Sequence, residues 1–389
     1  MLKKIICIVP ILLFFACNVF SQNDSGSVTS DRDPVSADRV GSHYSVLPIA
    51  GYSSDWGVYG GGFLQRINYG IGVEPFLSNL KTDITISTKG YFVSKFEFER
   101  TKTFGLNLRS RVEFIGQRIT QGQYFGIGND TGFSKTLFDE GFYFYENREL
   151  FLKYIARKRV GEFSEFGKID LFATTTFWAV NSITRGDVSL FLNDEPPGFQ
   201  TSSIGKIGLG TLLDSRDDEF SPTRGIQYEA GFNIAPSLFG LDFSYSEAKI
   251  DLRQYITILP DVVFAHRVKF DQIFGEAPFW AMPIIGNDEG LRGYYLNRFR
   301  GESSILSMTE IRTWLFSVLD DQVKIGSHLF WDTGRVYSDF DSNAFFDEWK
   351  HSIGFGFAFT LFHPDLILRS DLGFSNEAFR FYFGTGYVF

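Results

Sequence analysis

The segment LRGYYLNRFRGES, residues 291–303, places three arginines and two adjacent tyrosines in a stretch without helical or strand periodicity. An arginine guanidinium is planar and can bind carboxylates through parallel hydrogen bonds. Two candidate carboxylates follow, Glu310 in TEIRTWLF and Asp332 in FWDTGRVY. These residue types predict ion-pair recognition, provided that the fold brings the loop and the two carboxylates together.

The sequence carries no pattern that indicates covalent catalysis. It contains no G-x-S-x-G, H-E-x-x-H or G-x-x-x-x-G-K-[ST] motif, and its five histidines are scattered. A lipid-hydrolysing enzyme would need a serine and a histidine together, and His266 is the one histidine that suggests itself. We therefore expect neither an enzyme nor a bound cofactor.

Composition narrows the class of protein further. The chain has 389 residues, of which 44% are hydrophobic and 17% aromatic, with 45 phenylalanines. A net charge of −9 excludes nucleic acid as the expected partner, because such a partner requires a basic face. Both cysteines, Cys7 and Cys17, lie near the N-terminus, so residues 22–389 offer no thiolate or disulfide chemistry.

The N-terminus resembles an export signal. The basic MLKK precedes a 13-residue apolar run, IICIVPILLFFAC, and small Ser21 precedes Gln22. This run is shorter than the roughly 20 residues of a membrane-spanning helix. We predict a signal peptide at residues 1–21 and a polar linker at 22–44, with lipidation at Cys17 as the alternative.

Most later segments alternate with period two, which predicts β-strands. In AFRFYFGTGYVF, for example, the residues from Phe379 to Phe389 at odd positions share one face, while Arg380 and Tyr382 lie on the other. Sixteen such segments occur, at roughly 45–52, 57–67, 80–88, 91–99, 104–117, 140–158, 166–183, 203–214, 225–236, 244–258, 262–274, 304–316, 322–338, 350–361, 365–374 and 379–389.

The polarity of the two faces predicts the surroundings of the sheet. A soluble sandwich would bury its apolar face, whereas a membrane barrel turns that face to lipid and keeps charged groups inside. The export signal, the aromatic content and the even number of segments favour the barrel. Long odd-to-even connections and mostly short even-to-odd turns favour it as well. We predict an all-β fold, a 16-stranded antiparallel transmembrane β-barrel at residues 45–389, in a bacterial outer membrane.

Within such a barrel, Glu310 and Asp332 would point into the lumen from neighbouring strands. Arg292 in the sixth long loop could fold inward and bind both, and Gly293 would permit a close backbone approach. Arg298 and Arg300 could be further lumenal contacts or ordinary surface charges, and the sequence leaves this open. His328 falls on the lumenal face of its strand, where a structural hydrogen-bonding role is expected.

These motifs resemble those of the BamA/TamA-type outer-membrane assembly and translocation barrels, also called the bacterial surface antigen family. The resemblance rests on LRGYYLNRFRGES, TEIRTWLF, FWDTGRVY and LDSRDDEFSPTRG, four motifs in the same order, and covers most of residues 200–389. It implies a seam between the first and last strands that can open toward lipid. It also implies a lumenal lock that holds the sixth loop, made of Arg292, Gly293, Tyr294, Glu310, Asp332 and Gly334.

The resemblance implies two further sites. Phe389, together with Tyr387 on the last strand, resembles the signal that is read when such barrels are inserted. Between segments eight and nine, a periplasmic turn is expected, and a metal site there is an alternative that would require several converging oxygens. The residues of this turn are Asp214, Arg216, Asp217, Pro222 and Gly225.

One departure from the family bears on function. Members that insert or export proteins carry polypeptide-transport-associated domains before the barrel, and here a polar linker of about 22 residues stands in that place. The expected function is insertion or translocation of protein or lipid, and a plugged solute channel is the alternative. The expected partners are outer-membrane lipid and either an unfolded outer-membrane protein or a separate periplasmic subunit.

Overall fold

A computed structural model of the chain describes residues 41–389 except 71–72, 74–75, 164–166, 219–220, 239–240, 288, 319–322, 338–346 and 362. The expected signal peptide and most of the linker lie outside these residues. The described part forms sixteen barrel strands, which confirms the predicted fold. They are β1 Gly41–Ser53, β2 Gly57–Tyr69, β3 Ser78–Ser87, β4 Tyr91–Arg100, β5 Arg109–Gln123, β6 Phe144–Phe163, β7 Gly167–Thr184, β8 Thr201–Asp214, β9 Gly225–Ala235, β10 Ser244–Leu259, β11 Val262–Glu276, β12 Ser303–Val318, β13 Val323–Tyr337, β14 Lys350–Leu361, β15 His363–Phe374 and β16 Phe379–Thr385.

The strands form one antiparallel sheet in chain order, each paired with its sequence neighbours. β1 to β15 have 10 residues or more, which is enough for a tilted strand to cross a membrane. The longer connections carry two short helices, α1 Lys135–Asp139 and α2 Leu190–Asp194, and a two-stranded ladder of Ile284–Ile285 with Phe299–Arg300. No helix in the described ranges is long and apolar enough to span a membrane.

Alternation along the strands separates a lipid-facing surface from a polar lumen. On β13, Leu329 and Trp331 are 63% and 51% exposed, whereas His328 and Asp332, which flank this pair in sequence, are 2% and 0% exposed. Because successive side chains of a strand point to opposite faces, one register places Leu329 and Trp331 outward and His328 and Asp332 inward. The charged lumen and the apolar exterior therefore follow from the same pattern.

The sheet closes incompletely between its first and last strands. Each strand pairs with the next from β1 to β16, and among the described residues no ladder joins β1 to β16. The last strand is joined to the first hairpin at the outer end, where Ser54 of the β1–β2 turn donates its backbone N–H to the carbonyl of Phe381 at 2.9 Å and the Tyr59 hydroxyl of β2 donates to the carbonyl of Phe383 at 2.9 Å. Arg380 of β16 also pairs with Asp55 in the β1–β2 turn. A seam therefore runs along β1.

The last strand is shorter than the sequence predicts. The alternation of apolar residues continues to Phe389, yet β16 ends at Thr385, and Gly386 adopts a φ of 73°. Residues 386–389 then turn away from the strand, and Phe389 is only 6% exposed. The prediction that Phe389 shares the outer face of the last strand with Phe379 is wrong, because lumenal contacts described below compete with continued pairing.

We expect the seam to be visible in hydrogen exchange. The amides of β1 that face away from β2 lack a strand partner, whereas both edges of β7 are paired, so residues 43–50 should exchange at least about tenfold faster than the centre of β7. Hydrogen–deuterium exchange of the folded barrel in detergent, read by mass spectrometry, measures both regions in one sample. Equal protection of β1 and β7 would show that the seam is paired in solution.

Candidate functional site

Arg292 lies at the centre of the site and is completely buried. It belongs to residues 277–302 between β11 and β12, which we call loop six. Its Nε and Nη2 donate to the two carboxylate oxygens of Asp332 at 2.8 Å each, and its Nη1 donates to Oε1 of Glu310 at 2.6 Å. Both carboxylates are also buried. The structure thus brings together the arginine and the two acids that the sequence singled out.

The barrel register explains why these two carboxylates converge. β12 and β13 are neighbours, with Glu310 opposite Phe330 and Asp332 opposite Met308. Glu310 and Asp332 are therefore diagonal neighbours on the lumenal face, at the separation that one side chain can bridge. Phe330, directly opposite Glu310, lies on the same face, and the Arg292 guanidinium sits 3.5 Å from the centre of its ring in a cation–π contact.

The charges of the site compensate one another. Burial lowers the pKa of Arg292, but Asp332 and Glu310 more than reverse this effect, so that the pKa is raised and the guanidinium stays charged. A buried charge without a partner is strongly destabilising, and a bidentate arginine–carboxylate pair has the geometry that best offsets its desolvation. Arg292 thus ties loop six to both acids, and removal of either acid would leave part of its buried charge without a counterion.

Loop six also approaches the backbone of β15. Gly293 has a φ of 112°, and a Cβ built there would come within 2.9 Å of the backbone of Phe374. A Cβ on Gly373 would lie 2.7 Å from the carbonyl carbon of Arg292. Two glycines therefore face each other where loop and strand meet, and the close approach expected at Gly293 is made against β15. Sequence analysis missed Gly373, whose only signal is its place on the lumenal face.

The other two residues of the expected lock lie at the same contact surface. The Tyr294 hydroxyl donates to Asn376 Oδ1 at 2.8 Å in the turn between β15 and β16. Gly334 on β13 faces Ile285 of loop six, and a Cβ there would be 2.8 Å from the carbonyl oxygen of Ile305 and 3.3 Å from the Ile285 side chain. Tyr294 therefore anchors loop six to the β15–β16 turn, and Gly334 leaves room for Ile285 of the loop.

Sequence analysis also missed a third carboxylate. Asp371 on β15 is buried, and its Oδ2 lies 3.7 Å from Arg292 Nη1. His328 Nε2 reaches the other oxygen of Asp371 at 2.6 Å, across the strand between them. It can do so because the residue of β14 that pairs with both is Gly356. A Cβ at this position would be 2.4 Å from the histidine nitrogen. Alternation places Asp371 in the lumen, but it does not reveal which strands the loop will touch.

The two remaining arginines of the motif are buried too. Arg298 binds Glu377 in the β15–β16 turn, with its Nε 2.7 Å from Oε2, and donates Nη2 to the carbonyl of Thr131 at 2.7 Å. Arg300 donates to the carbonyl of Phe279. Neither arginine is an ordinary surface charge. Arg298 instead links loop six to the loop between β5 and β6 and to the turn before β16.

The outer end of the lumen is covered by aromatic packing. Tyr295 of loop six has ring centres of Phe133 and Phe138 within 4.8 and 4.4 Å, and Phe125 within 6.1 Å. These three phenylalanines belong to the connection that contains α1. Aromatic pairs at such separations stabilise beyond simple burial. Loop six and the β5–β6 loop therefore pack as one cover.

The residues expected to form an insertion signal lie in the lumen. Arg312 on β12 donates Nη2 to the main-chain oxygen of Phe389 at 2.8 Å, and its guanidinium lies 4.1 Å from the ring centre of Tyr387. Sequence analysis did not single out Arg312, although its position two residues after Glu310 places it on the same face. Whether Phe389 and Tyr387 are read during insertion stays a prediction.

The turn between β8 and β9 is distant in sequence from Arg292. Hydrogen bonds between its own aspartate side chains and nearby residues hold its conformation. Asp214 Oδ1 accepts hydrogen bonds from the backbone and Nε of Arg216 at 3.1 and 3.0 Å. Asp217 accepts from the backbone N–H groups of Thr223 and Arg224 at 2.9 and 3.2 Å. Partial burial raises the pKa of Asp217, yet these bonds lower it overall. The aspartates are used within the turn.

The remaining turn residues fit this geometry. Pro222 is buried, and Gly225 has a φ of 103°, where a Cβ would meet the carbonyl oxygen of Ser215 at 2.3 Å. In the ranges that the structure describes, no group of three or more histidine, cysteine or carboxylate side chains could hold a metal ion.

Comparison with known proteins places this architecture among related barrels. Residues 198–389 match the Omp85 superfamily domain. In fold, the chain is similar to BamA from Haemophilus ducreyi lacking POTRA domains 1-3, with 13% identity and a TM-score of 0.57 over 90% of this chain and 70% of that one. No protein of curated function matches the sequence.

Two further solved structures share the fold. CdiB from Escherichia coli has 9% identity and a TM-score of 0.62, over 89% of this chain and 62% of that one. CdiB from Acinetobacter baumannii has 10% identity and a TM-score of 0.50, over 89% of this chain and 60% of that one. This chain thus spans less than two thirds of either CdiB chain, and at these identities the likeness concerns the fold.

Replacing Arg292 by alanine should destabilise the folded barrel. It leaves Asp332 buried without its cation and removes one of the two arginines that bind Glu310, which costs about 3–5 kcal/mol. Thermal unfolding, followed by the heat-dependent shift of the barrel on gels, measures the loss. Arg224→Ala is the matched control, because Arg224 is 81% exposed and its pair with Asp217 spans 4.0 Å. A similar melting temperature for both variants would contradict a stabilising role of Arg292.

Reversing the charges of the pair provides a separate test. Arg292→Glu combined with Asp332→Arg should regain part of the stability that either single change removes, because the double variant restores one opposite-charge contact. Protease resistance of loop six in the three variants measures the recovery. Purely additive losses would mean that the two side chains do not interact in solution.

Proposed function

We propose that this chain, an outer-membrane β-barrel of the Omp85 superfamily by its domain at residues 198–389, inserts or translocates protein or lipid without covalent chemistry. The superfamily relation agrees with the motifs that the sequence carries. The observation that supports the proposal is the combination of a seam without a strand ladder and a loop that one buried arginine ties to β12 and β13 while its Gly293 packs against β15, next to the last strand.

In the proposed mechanism, loop six acts as a latch. Arg292 holds its inner end against β12 and β13, and Arg298 holds its outer end against the β15–β16 turn. Cargo would enter at the periplasmic side and leave along the seam between β1 and β16. Release of the latch would free the wall next to the seam, since the loop contacts both β15 and the turn before β16.

The proposed partners follow from this mechanism. The exterior of the barrel contacts outer-membrane lipid. An unfolded outer-membrane polypeptide would reach the seam, either alone or delivered by a periplasmic partner protein. The edge of β1 offers such a polypeptide unpaired main-chain groups, and strand addition to a free edge is a common way to bind an extended chain.

A plugged solute channel is the second candidate, and the lumen wall supports it. Lys206 and Glu247 pair at 2.9 Å, and Arg267 and Asp251 at 2.7 Å, so the wall carries charges of both signs that could line a water-filled path. The aromatic cover formed with loop six obstructs the outer end of that path. A steady open channel is therefore the less favoured reading.

An enzyme acting on lipid receives no support from His266. Its Nδ1 lies 3.0 Å from Thr309 Oγ1, and its ring stacks on Phe264 at 6.2 Å between centres. A general base must be oriented toward a nucleophile within hydrogen-bond reach. These contacts occupy the histidine in packing on β11 and β12.

Single-channel conductance separates the latched translocator from the channel. We expect the refolded wild-type barrel to stay closed and Arg292→Ala to give frequent, large openings, because loss of the ion pairs frees the inner end of loop six. Arg224→Ala should behave like the wild type. A large and stable wild-type current would identify a solute channel and reject the latch.

Site-specific photo-crosslinking tests the seam as the exit for polypeptide. A photoreactive residue at Val46 of β1 should capture unfolded outer-membrane polypeptides in cells, whereas one at Leu209 of β8 should not. The two positions are matched in exposure, at 70% and 71%, and differ in their distance from the seam along the sheet. Equal capture at both, or at neither, would contradict polypeptide handling at the seam.

A further inference from the structure

Glu310 is shared by two arginines. Its Oε1 accepts from Arg292 Nη1 at 2.6 Å and its Oε2 from Arg312 Nε at 2.7 Å. All three residues are at most 3% exposed. One carboxylate therefore bridges loop six and a second cation on β12, and a change in either contact alters the charge that the other arginine meets.

Arg312 in turn holds the segment that follows β16. Its Nη2 donates to the main-chain oxygen of Phe389 at 2.8 Å, and its guanidinium lies 4.1 and 4.9 Å from the ring centres of Tyr387 and Phe389. Phe389 joins a buried cluster with Tyr255 of β10 and Leu291 of loop six. This lumenal pocket binds an extended aromatic segment through one guanidinium and an apolar wall.

The pocket determines the course of the chain next to the seam. Gly386 donates its N–H to the carbonyl of Ile367 on β15 at 2.8 Å, and with its φ of 73° the chain then leaves the sheet. Residues 387–389 therefore lie inside the lumen and do not continue along the seam opposite β1. A released segment could extend β16 by the alternation that residues 379–389 retain in sequence.

The two arginines compete for Glu310 in a defined way. A bidentate pair between Arg312 and Glu310 would use the Nε and Nη2 edge of the guanidinium, because these two donors match the spacing of a carboxylate. At present, Nη2 serves Phe389 and Oε1 serves Arg292. If Arg292 withdraws, Oε1 becomes available and Arg312 can turn its full edge to Glu310, which releases the carbonyl of Phe389.

We propose that Glu310 couples the loop-six latch to the position of residues 386–389, so that withdrawal of Arg292 frees this segment from the Arg312 pocket. Loop six thereby controls whether the end of β16 is held in the lumen or free to lie beside β1. The coupling is reciprocal. When Arg312 binds the segment, it does not occupy Oε1 of Glu310, and this oxygen is then available to Arg292. This inference does not rest on the proposed function, because no cargo takes part in it.

Cysteine labelling measures the release directly. Residues 22–389 contain no cysteine, so Val388→Cys introduces a single thiol into that part of the chain, at a partly buried site beside the pocket. In the folded barrel in detergent, Arg292→Ala should raise the rate of maleimide labelling at this thiol by about tenfold, a coupling within the range of residues that share one network. The heat-dependent gel shift confirms that each variant is folded.

Two further variants make the test specific. Arg298→Ala loosens loop six at its outer end without touching Glu310, and it should change the labelling rate less than about twofold. In an Arg312→Ala background the segment is already free, so labelling should be fast and Arg292→Ala should add little. An unchanged rate in Arg292→Ala, an equal increase in Arg298→Ala, or additive effects of Arg292→Ala and Arg312→Ala would each overturn the coupling.

If Arg292→Ala does not fold, Arg292→Lys takes its place. Lysine keeps the charge but presents a single ammonium, which cannot serve two carboxylates through a planar fork. Labelling at Val388→Cys should then rise about threefold over the wild type. As in Arg292→Ala, the reason is that Oε1 of Glu310 becomes available to Arg312. A folded Arg292→Lys barrel with the wild-type labelling rate would also overturn the proposal.

Discussion

The buried guanidinium of Arg292 is the constraint on which the rest of the site depends. A charge that is wholly removed from water must be compensated within hydrogen-bond distance, and here Asp332 and Glu310 provide that compensation. This requirement constrains the register of β12 against β13, since a slip of either strand by one residue would turn its acid toward lipid. It also demands glycine at positions 293 and 373, where the backbone of the loop comes too close to β15 for a side chain.

The same interaction connects two regions that differ in stability. Most of the barrel wall is a continuous antiparallel ladder, whereas the seam beside β1 is held at its outer end by a few contacts such as that between Ser54 and Phe381. Loop six bridges the two regions, with Arg292 on the laddered wall and Arg298 on the turn before β16. A firmly anchored loop next to a weak seam concentrates conformational freedom at one place in an otherwise rigid barrel.

Sequence alternation located the sixteen strands, but it predicted the end of the last strand four residues too late, at Phe389 instead of Thr385. The pattern of odd-numbered apolar residues runs without interruption to Phe389, so pairing and turning inward are both compatible with it. The guanidinium of Arg312 and the apolar pocket around Tyr255 decide in favour of the lumen. Asp371 and Gly373 were missed on the same grounds, because alternation assigns a face and not a partner on a distant loop.

By itself, the sequence determined the fold class, the number and order of the strands, the face of the strand residues before the end of β16 and the identity of the principal arginine. These properties depend on local periodicity and on short motifs, which any reader of the chain can see. The tertiary structure alone decided that Asp371, Phe330 and Arg312 surround the same site, that Arg298 reaches across to Glu377, and that residues 386–389 leave the sheet. These contacts join residues far apart in sequence, and they exist because the barrel brings distant strands around one lumen, where a buried charge without a partner is strongly destabilising.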